Sequence, residues 1–162
     1  METSKRRREK VYREGDWFGV PLPDGRYAPG LVAREGRDVV FLGYFFGPAT
    51  TELPTLDRLR ELTANDTVLV GRLGDLGLEA GELPILMHAE NWNPADWPMP
   101  MFGHVDVVDA NQGLGRTFDE SEISPLTTET PISVDRAKSL FPSYLHGDVA
   151  LAIRLSRILD GL

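Results

Sequence analysis

The 162-residue sequence predicts an α+β fold: an antiparallel, barrel-like β-sheet packed by a C-terminal helix and one or two short helices. Three observations carry that reading. Short apolar runs bounded by Gly, Pro and Asp turns fill the first half of the chain. One stretch near the C-terminus, residues 148–162, spaces its apolar residues as a helix does. The order of elements, strands first and a covering helix last, is that of segregated α+β domains rather than alternating βαβ units. The length suits one ordinary domain, divided here into a basic, disordered arm over residues 1–10 and a single domain over residues 11–162.

The first strand is "DWFGVPL". It puts Phe18, Val20 and Leu22 on one face and Trp17, Gly19 and Pro21 on the other. Pro21 has no amide to donate, so that end of the strand is expected at an edge or a bend. "PDG" at Pro23–Gly25 is a turn, with Pro presetting φ and Gly supplying a positive φ. The returning strand "RYAPGLVAR" carries Tyr27, Leu31 and Ala33 on one face, with a bulge expected at Pro29–Gly30. After the turn "EGRD", the run "VVFLGYFF" is apolar on both faces and reads as a central strand.

Thr55 is placed to cap a short helix, "LDRLREL", and "TVLVGRL" returns as a fourth strand. "ILMHAENWNPADWPMPMFG" holds too many prolines for one regular element and reads as a long ordered loop or irregular edge. "HVDVVDA" and "GRTFDESEI" are the last expected strands. "SVDRAKSLFP" reads as a short helix stopping before Pro142. Asp148 is expected to cap the final helix, whose stripe of Leu151, Ala152, Leu155, Ile158, Leu159 and Leu162 should cover the sheet, with Arg154, Arg157 and Asp160 facing water.

Composition excludes several classes of function. There is no cysteine, hence no disulfide framework, iron–sulfur cluster or thiolate zinc site. No apolar run is long enough to span a bilayer, and no apolar stretch follows the basic start to make an ordinary secretory signal. Cytoplasm is the expected location. Of the net charge of −8, the first 13 residues carry +4 and the remainder −12. An acidic body disfavours nucleic acid and anionic membranes and suits a basic protein partner.

Few constellations point to catalysis. His88 with Glu90 and His104 with Asp106 form two His-x-acid pairs that would bind a metal only if the fold joined them; two separate surface or loop histidine pairs are the simpler reading. His88-x-Glu90 also matches half of a zinc deaminase signature, whose other half needs cysteines that are absent. "GLGR" at Gly113–Arg116 is too short for a dinucleotide fingerprint and reads as a hairpin turn. His146 reads as part of the turn that positions the last helix. No catalytic residue, metal site or cofactor is assigned. The candidate partner-binding residues are the aromatic pair Trp92 and Trp97, with Met99, Met101 and Phe102 nearby, and the acidic group Asp106, Asp109, Asp119, Glu120 and Glu122. Aromatics supply anchoring area and acids steer a basic partner. The competing reading folds both tryptophans inward as a lid on the sheet.

The opening segment "EGDWFGVPLPDGRYAPGLVAR" resembles the start of the immunity protein 26 family, whose members protect bacteria from secreted polymorphic toxins. The resemblance rests on Gly15-Asp16, Phe18, "PLPDG" at Pro21–Gly25, Tyr27 and Gly30, with "VLVGRLG" and "PMPMF" compatible further on. It implies a non-catalytic α+β protein that binds and blocks a cognate toxin domain. Many such toxins are basic nucleases, which suits an acidic inhibitor. Two other readings compete. The same hairpin is similar to that of PemK-like endoribonucleases, for which Arg26 is the only arginine near the turn. A small binding barrel of the Src-homology-3 or Tudor kind would instead present Trp17, Tyr27 and Tyr44 to a peptide or tail.

Overall fold

The computed structural model describes residues 9–162. Most of the expected basic arm, residues 1–8, lies outside the described residues. Lys10, at its end, donates to the Gly36 carbonyl and lies 3.7 Å from Glu35.

The chain is α+β. A six-stranded sheet contains β1 (Asp16–Pro21), β2 (Tyr27–Glu35), β3 (Val40–Phe46), β4 (Thr67–Gly74), β5 (Ile85–His88) and β9 (Leu145–His146). Its order is β5-β1-β2-β3-β4-β9, antiparallel except for the β4–β9 pair. A separate antiparallel sheet joins β6 (Phe102–Val105), β7 (Gly113–Phe118) and β8 (Leu126–Ile132). The larger sheet does not close into a barrel, since β5 and β9 form its two edges. Among the described residues four α-helices complete the fold: α1 (Leu56–Glu61), α2 (Leu76–Glu79), α3 (Val134–Ser139) and α4 (Asp148–Asp160).

Alternation along the strands explains the layering. Phe18, Val20 and Leu22 point to one side, where Ala28, Val32, Phe41, Phe45 and Leu69 join them. α4 closes that side with Leu151 and Leu155, both fully buried, and with Ile158 and Leu159 packed at the margin. Trp17, Leu31, Ala33, Leu42, Tyr44 and Val70 point the other way, into a second core. Phe102, Phe118 and Ile123 from the smaller sheet and its loops close that one, together with Trp97. The six-stranded sheet is therefore buried on both faces, which is why "VVFLGYFF" is apolar throughout.

Several local expectations are met and others are corrected. Pro21 lies beyond the reach of β5, whose pairing with β1 spans only Asp16–Phe18. Thr55 caps α1 by accepting from the Arg58 amide at 3.3 Å, and Ser133 caps α3 by accepting from the Arg136 amide at 3.1 Å. The bulge in β2 falls between Val32 and Arg34, opposite β3, and not at Pro29–Gly30. There the ladder runs regularly against β1, because Pro29 precedes the first β3 pair and loses nothing by lacking a donor. α4 is capped by Gly147 with no side-chain hydrogen bond, and Asp148 is already its first helical residue. Leu162 is 85 % exposed, so the buried stripe ends at Leu159.

"GLGR" is not a turn but the start of β7, paired with β6 on one side and β8 on the other. "HVDVVDA" is strand only through Val105; Asp106 then bonds its own loop, and Val107 and Val108 are over 90 % exposed. β8 has no counterpart in the sequence reading. Its "LTTETPI" is exposed at nearly every position, so no apolar alternation marks it, and Pro131 is tolerated because β8 is an edge.

Candidate functional site

The segment before β1 is shaped by Gly15 and Asp16. Gly15 has φ +93°, a conformation that favours glycine. Its amide donates to the Val32 carbonyl at 2.8 Å, and its carbonyl accepts from the Ala89 amide at 2.7 Å. Asp16, 6 % exposed, accepts from the Arg13 amide and lies 2.9 Å from His88 Nδ1. This turn thus fastens β1 to the end of β5 and fixes where residues 89–98 begin. The Trp92 ring lies directly over Gly15, and a Cβ there would stand 3.0 Å from it.

Residues 89–98 form one wall of a cleft of about 780 Å³. Trp17, Trp92 and Trp97 supply its aromatic side, Leu59 and Leu62 of the α1 region its aliphatic side, and Arg60 and Glu90 lie at its margin. Arg60 pairs with Asp57 at 3.2 Å and Glu90 at 3.8 Å. Asn93 accepts from the Ala95 amide and starts a short 3₁₀ turn, Pro94–Asp96, which drives Trp97 inward.

The two tryptophans differ in role. Trp97 is 9 % exposed. It meets Trp17, Tyr44 and Phe46 edge-on, with ring centroids 5.3–6.0 Å apart. The Tyr44 hydroxyl donates to the Pro98 carbonyl and pins the same segment. Trp92 is half-buried and stacks on Trp97 at 6.4 Å and 14°. Its indole Nε1 is buried without a hydrogen-bond partner among the described residues. Trp97 is thus part of the second core, and Trp92 is the layer between that core and the cleft.

The five acidic candidates do not form one patch. Asp106 and Asp109 lie in the β6–β7 loop, and Asp119, Glu120 and Glu122 in the β7–β8 loop, at opposite ends of β7. Six residues of strand separate these loops by about 20 Å. Most of these carboxylates already have local partners. Asp106 accepts from the Asp109 and Val108 amides, and Asp119 from the Ser121 hydroxyl and the Glu122 amide. These bonds hold both carboxyls below the usual carboxylate range. Asp109 accepts from the Asn111 amide. Glu120 meets Arg34 at 3.3 Å, and Glu122 meets Arg37 at 3.0 Å. Arg34, 8 % exposed, also donates to the Pro94 carbonyl, so Glu120 belongs to the scaffold that holds the tryptophan segment.

The His-x-acid pairs are not joined. His88 faces Asp16 and Glu90 faces Arg60. His104, on β6, pairs with Leu114 of β7, while Asp106 has left the strand. Among the described residues no group of three or more His, Asp or Glu is placed to hold a metal ion. His146 lies in β9, 3 % exposed, with Nδ1 3.3 Å from the Arg72 carbonyl. Burial pushes its imidazole below the usual value and outweighs the hydrogen bond with the Arg72 carbonyl, which acts the other way; the Arg154 and Arg72 charges add to the lowering. Arg26, which a PemK-like reading would require, is tied to Asp24 at 2.6 Å and Asp160 at 2.9 Å. Tyr44 is turned inward, 3 % exposed, and Trp17 lines the cleft while only 4 % exposed, so neither ring stands open to a peptide or tail.

Sequence reasoning missed the Asp16–His88 link and the contribution of α1 to the cleft. Both join residues far apart in the chain, and no local pattern announces them. No helix among the described residues is long and apolar enough to cross a membrane. No curated protein and no solved structure matches the chain. A family model described as immunity protein 26 matches residues 13–114. That span includes the Gly15–Asp16 turn, α1 and the whole lining of the cleft. With more than half of its length matched, the chain belongs to the immunity protein 26 family.

Proposed function

We propose that this protein is a non-catalytic immunity protein that binds and neutralises a cognate bacterial toxin domain in the cytoplasm. The observation that carries the reading is the family match, which holds every residue of the aromatic cleft. In this reading Trp92, backed by Trp97, is the apolar anchor for the toxin. The acids contribute as two separate groups, Asp106 with Asp109 and Asp119 with Glu120 and Glu122, that draw in a basic toxin such as a nuclease. The net charge of −8 supports that choice of partner and disfavours direct binding to nucleic acid.

The experiment is co-expression with the toxin encoded next to it. Wild type should protect. Trp92→Ala should weaken protection by speeding dissociation, with a cost of about 2 kcal/mol or more for a true anchor. Reversing Asp119, Glu120 and Glu122 to Lys, or Asp106 and Asp109 to Lys, should slow association most at low salt. Folded variants that all protect as wild type does would refute this binding face. A wild type that protects against no neighbouring toxin would refute the function.

A further inference from the structure

α4 presents a second apolar surface on the side of the molecule away from the cleft. Its inner face is buried, while Val149 is 70 % and Ile153 41 % exposed on the outer face, one turn apart. Beside them lies an apolar hollow of about 360 Å³, walled by Pro21, Pro23 and Ala152. The charges around this strip are polarised along the helix. Glu82 and Asp148 border the hollow at the N-terminal end, and neither has an ion-pair partner among the described residues. Arg157 lies towards the C-terminal end beside Arg154, again with no carboxylate partner among the described residues, and the one acid at that end of the helix, Asp160, is offset by its ion pair with Arg26 at 2.9 Å. Among the described residues, Arg154 donates only to the Tyr144 hydroxyl. A patch that is acidic at one end, apolar in the middle and basic at the other is complementary to itself when reversed.

We propose that this face binds a second copy of the same chain across a two-fold axis near Ile153. An isologous contact requires each patch to match its own reversal. Here Ile153 meets its symmetry mate, and Glu82 and Asp148 of each copy approach Arg157 of the other, with the helices crossing. Unpaired opposite charges at both ends favour a second copy over a uniformly basic toxin, which Arg154 and Arg157 would repel. The 13-residue helix is about 20 Å long, so the contact is small and the dimer exchanges readily. The cleft, on the opposite face of the six-stranded sheet, stays open in this dimer. The inference does not depend on the immunity reading.

Sedimentation equilibrium of the purified full chain, from about 1 to 300 μM, tests it across the range of ordinary transient complexes. The mass should rise with concentration from 18.0 kDa towards that of two chains. Ile153→Asp should raise the dissociation constant at least about tenfold, with the circular dichroism spectrum and melting temperature unchanged. Arg157→Glu should also weaken the dimer, and Glu82→Arg combined with Arg157→Glu should restore most of it. Because Arg157 and Glu82 are exposed, this charge pair decides the matter if Ile153→Asp fails to fold. A wild type that keeps the mass of one chain throughout overturns the proposal, as does a dimer indifferent to both the Ile153 and Arg157 changes. Loss of toxin protection in Ile153→Asp with no change in mass would give this face to the toxin and overturn it equally.

Discussion

Gly15→Ala separates a backbone effect from a contact effect at the base of the cleft. Gly15 has φ +93° and Gly25 has φ +87°, so alanine is strained at either position by about 1–2 kcal/mol. The surroundings differ. A Cβ at Gly25 meets nothing within 4 Å, whereas at Gly15 it stands 2.9 Å from His88 Cε1 and 3.0 Å from two atoms of the Trp92 ring. Those rings cannot yield freely, because His88 is bonded to Asp16 and Trp92 is stacked on Trp97. Overpacking of that kind costs a further 1–3 kcal/mol or so. Gly25→Ala is therefore expected to lose about 1–2 kcal/mol and Gly15→Ala about 2–5 kcal/mol. Urea unfolding followed by circular dichroism measures both, and native tryptophan fluorescence should change only in Gly15→Ala. Equal losses for the two variants, with the same fluorescence, would refute the packing of Trp92 and His88 over Gly15.

Three further outcomes follow from buried groups. Leu155→Ala, at a fully buried position under the sheet, should cost roughly 2–5 kcal/mol by urea unfolding; a loss below about 1 kcal/mol would show that α4 is not seated there. Tyr12 donates to Asp75 Oδ2 at 2.8 Å, both residues are buried, and Asp75 Oδ1 has no hydrogen-bond partner among the described residues. Tyr12→Phe should lose about 1.5–3 kcal/mol, and Tyr12→Phe combined with Asp75→Leu should recover much of it; a double variant no better than the single would refute the pairing. His146 has its folded-state pKa pushed below the ordinary value of 6.5 by burial. Below that pH the unfolded chain binds the extra proton and the folded chain does not, so stability falls from pH 6.5 down to the folded pKa, by about 1.4 kcal/mol per pH unit between the two values. His146→Gln should flatten the stability profile between pH 7 and 5; an unaltered slope would sink this assignment.

Elements that bury a face were legible in the sequence. Phe18, Val20 and Leu22 alternate as they must to reach the α4 side, and Leu151 and Leu155 repeat as a helix requires. β8 was not legible because it buries almost nothing; only its β-branched threonines at 127, 128 and 130 hint at a strand. The acidic candidates illustrate another limit. Asp106 and Glu122 are near in sequence, but the strand between them carries them to opposite ends of the small sheet. The tryptophan pair was legible as an aromatic cluster, yet its geometry depends on Arg34, Tyr44 and Gly15 reaching it from other parts of the chain. No spacing rule within residues 92–97 encodes those contacts.

Burial of the six-stranded sheet on both faces also sets an order of events during synthesis. β1 to β4 form an antiparallel meander of neighbouring strands that needs no distant partner to begin pairing. The α4 that covers one side is complete only roughly 85 residues after β4 ends, a delay of about 4–17 s at ordinary translation rates. Throughout that interval Phe18, Val20, Phe41 and Phe45 face solvent or a chaperone. The two-residue β9 then docks parallel to β4 with α4 directly behind it, so the last turns of the chain act as a latch on a sheet already assembled. A ribosome stalled before Asp148 should display a protease-sensitive sheet, and one stalled well beyond Leu162 on an appended linker should display a resistant one.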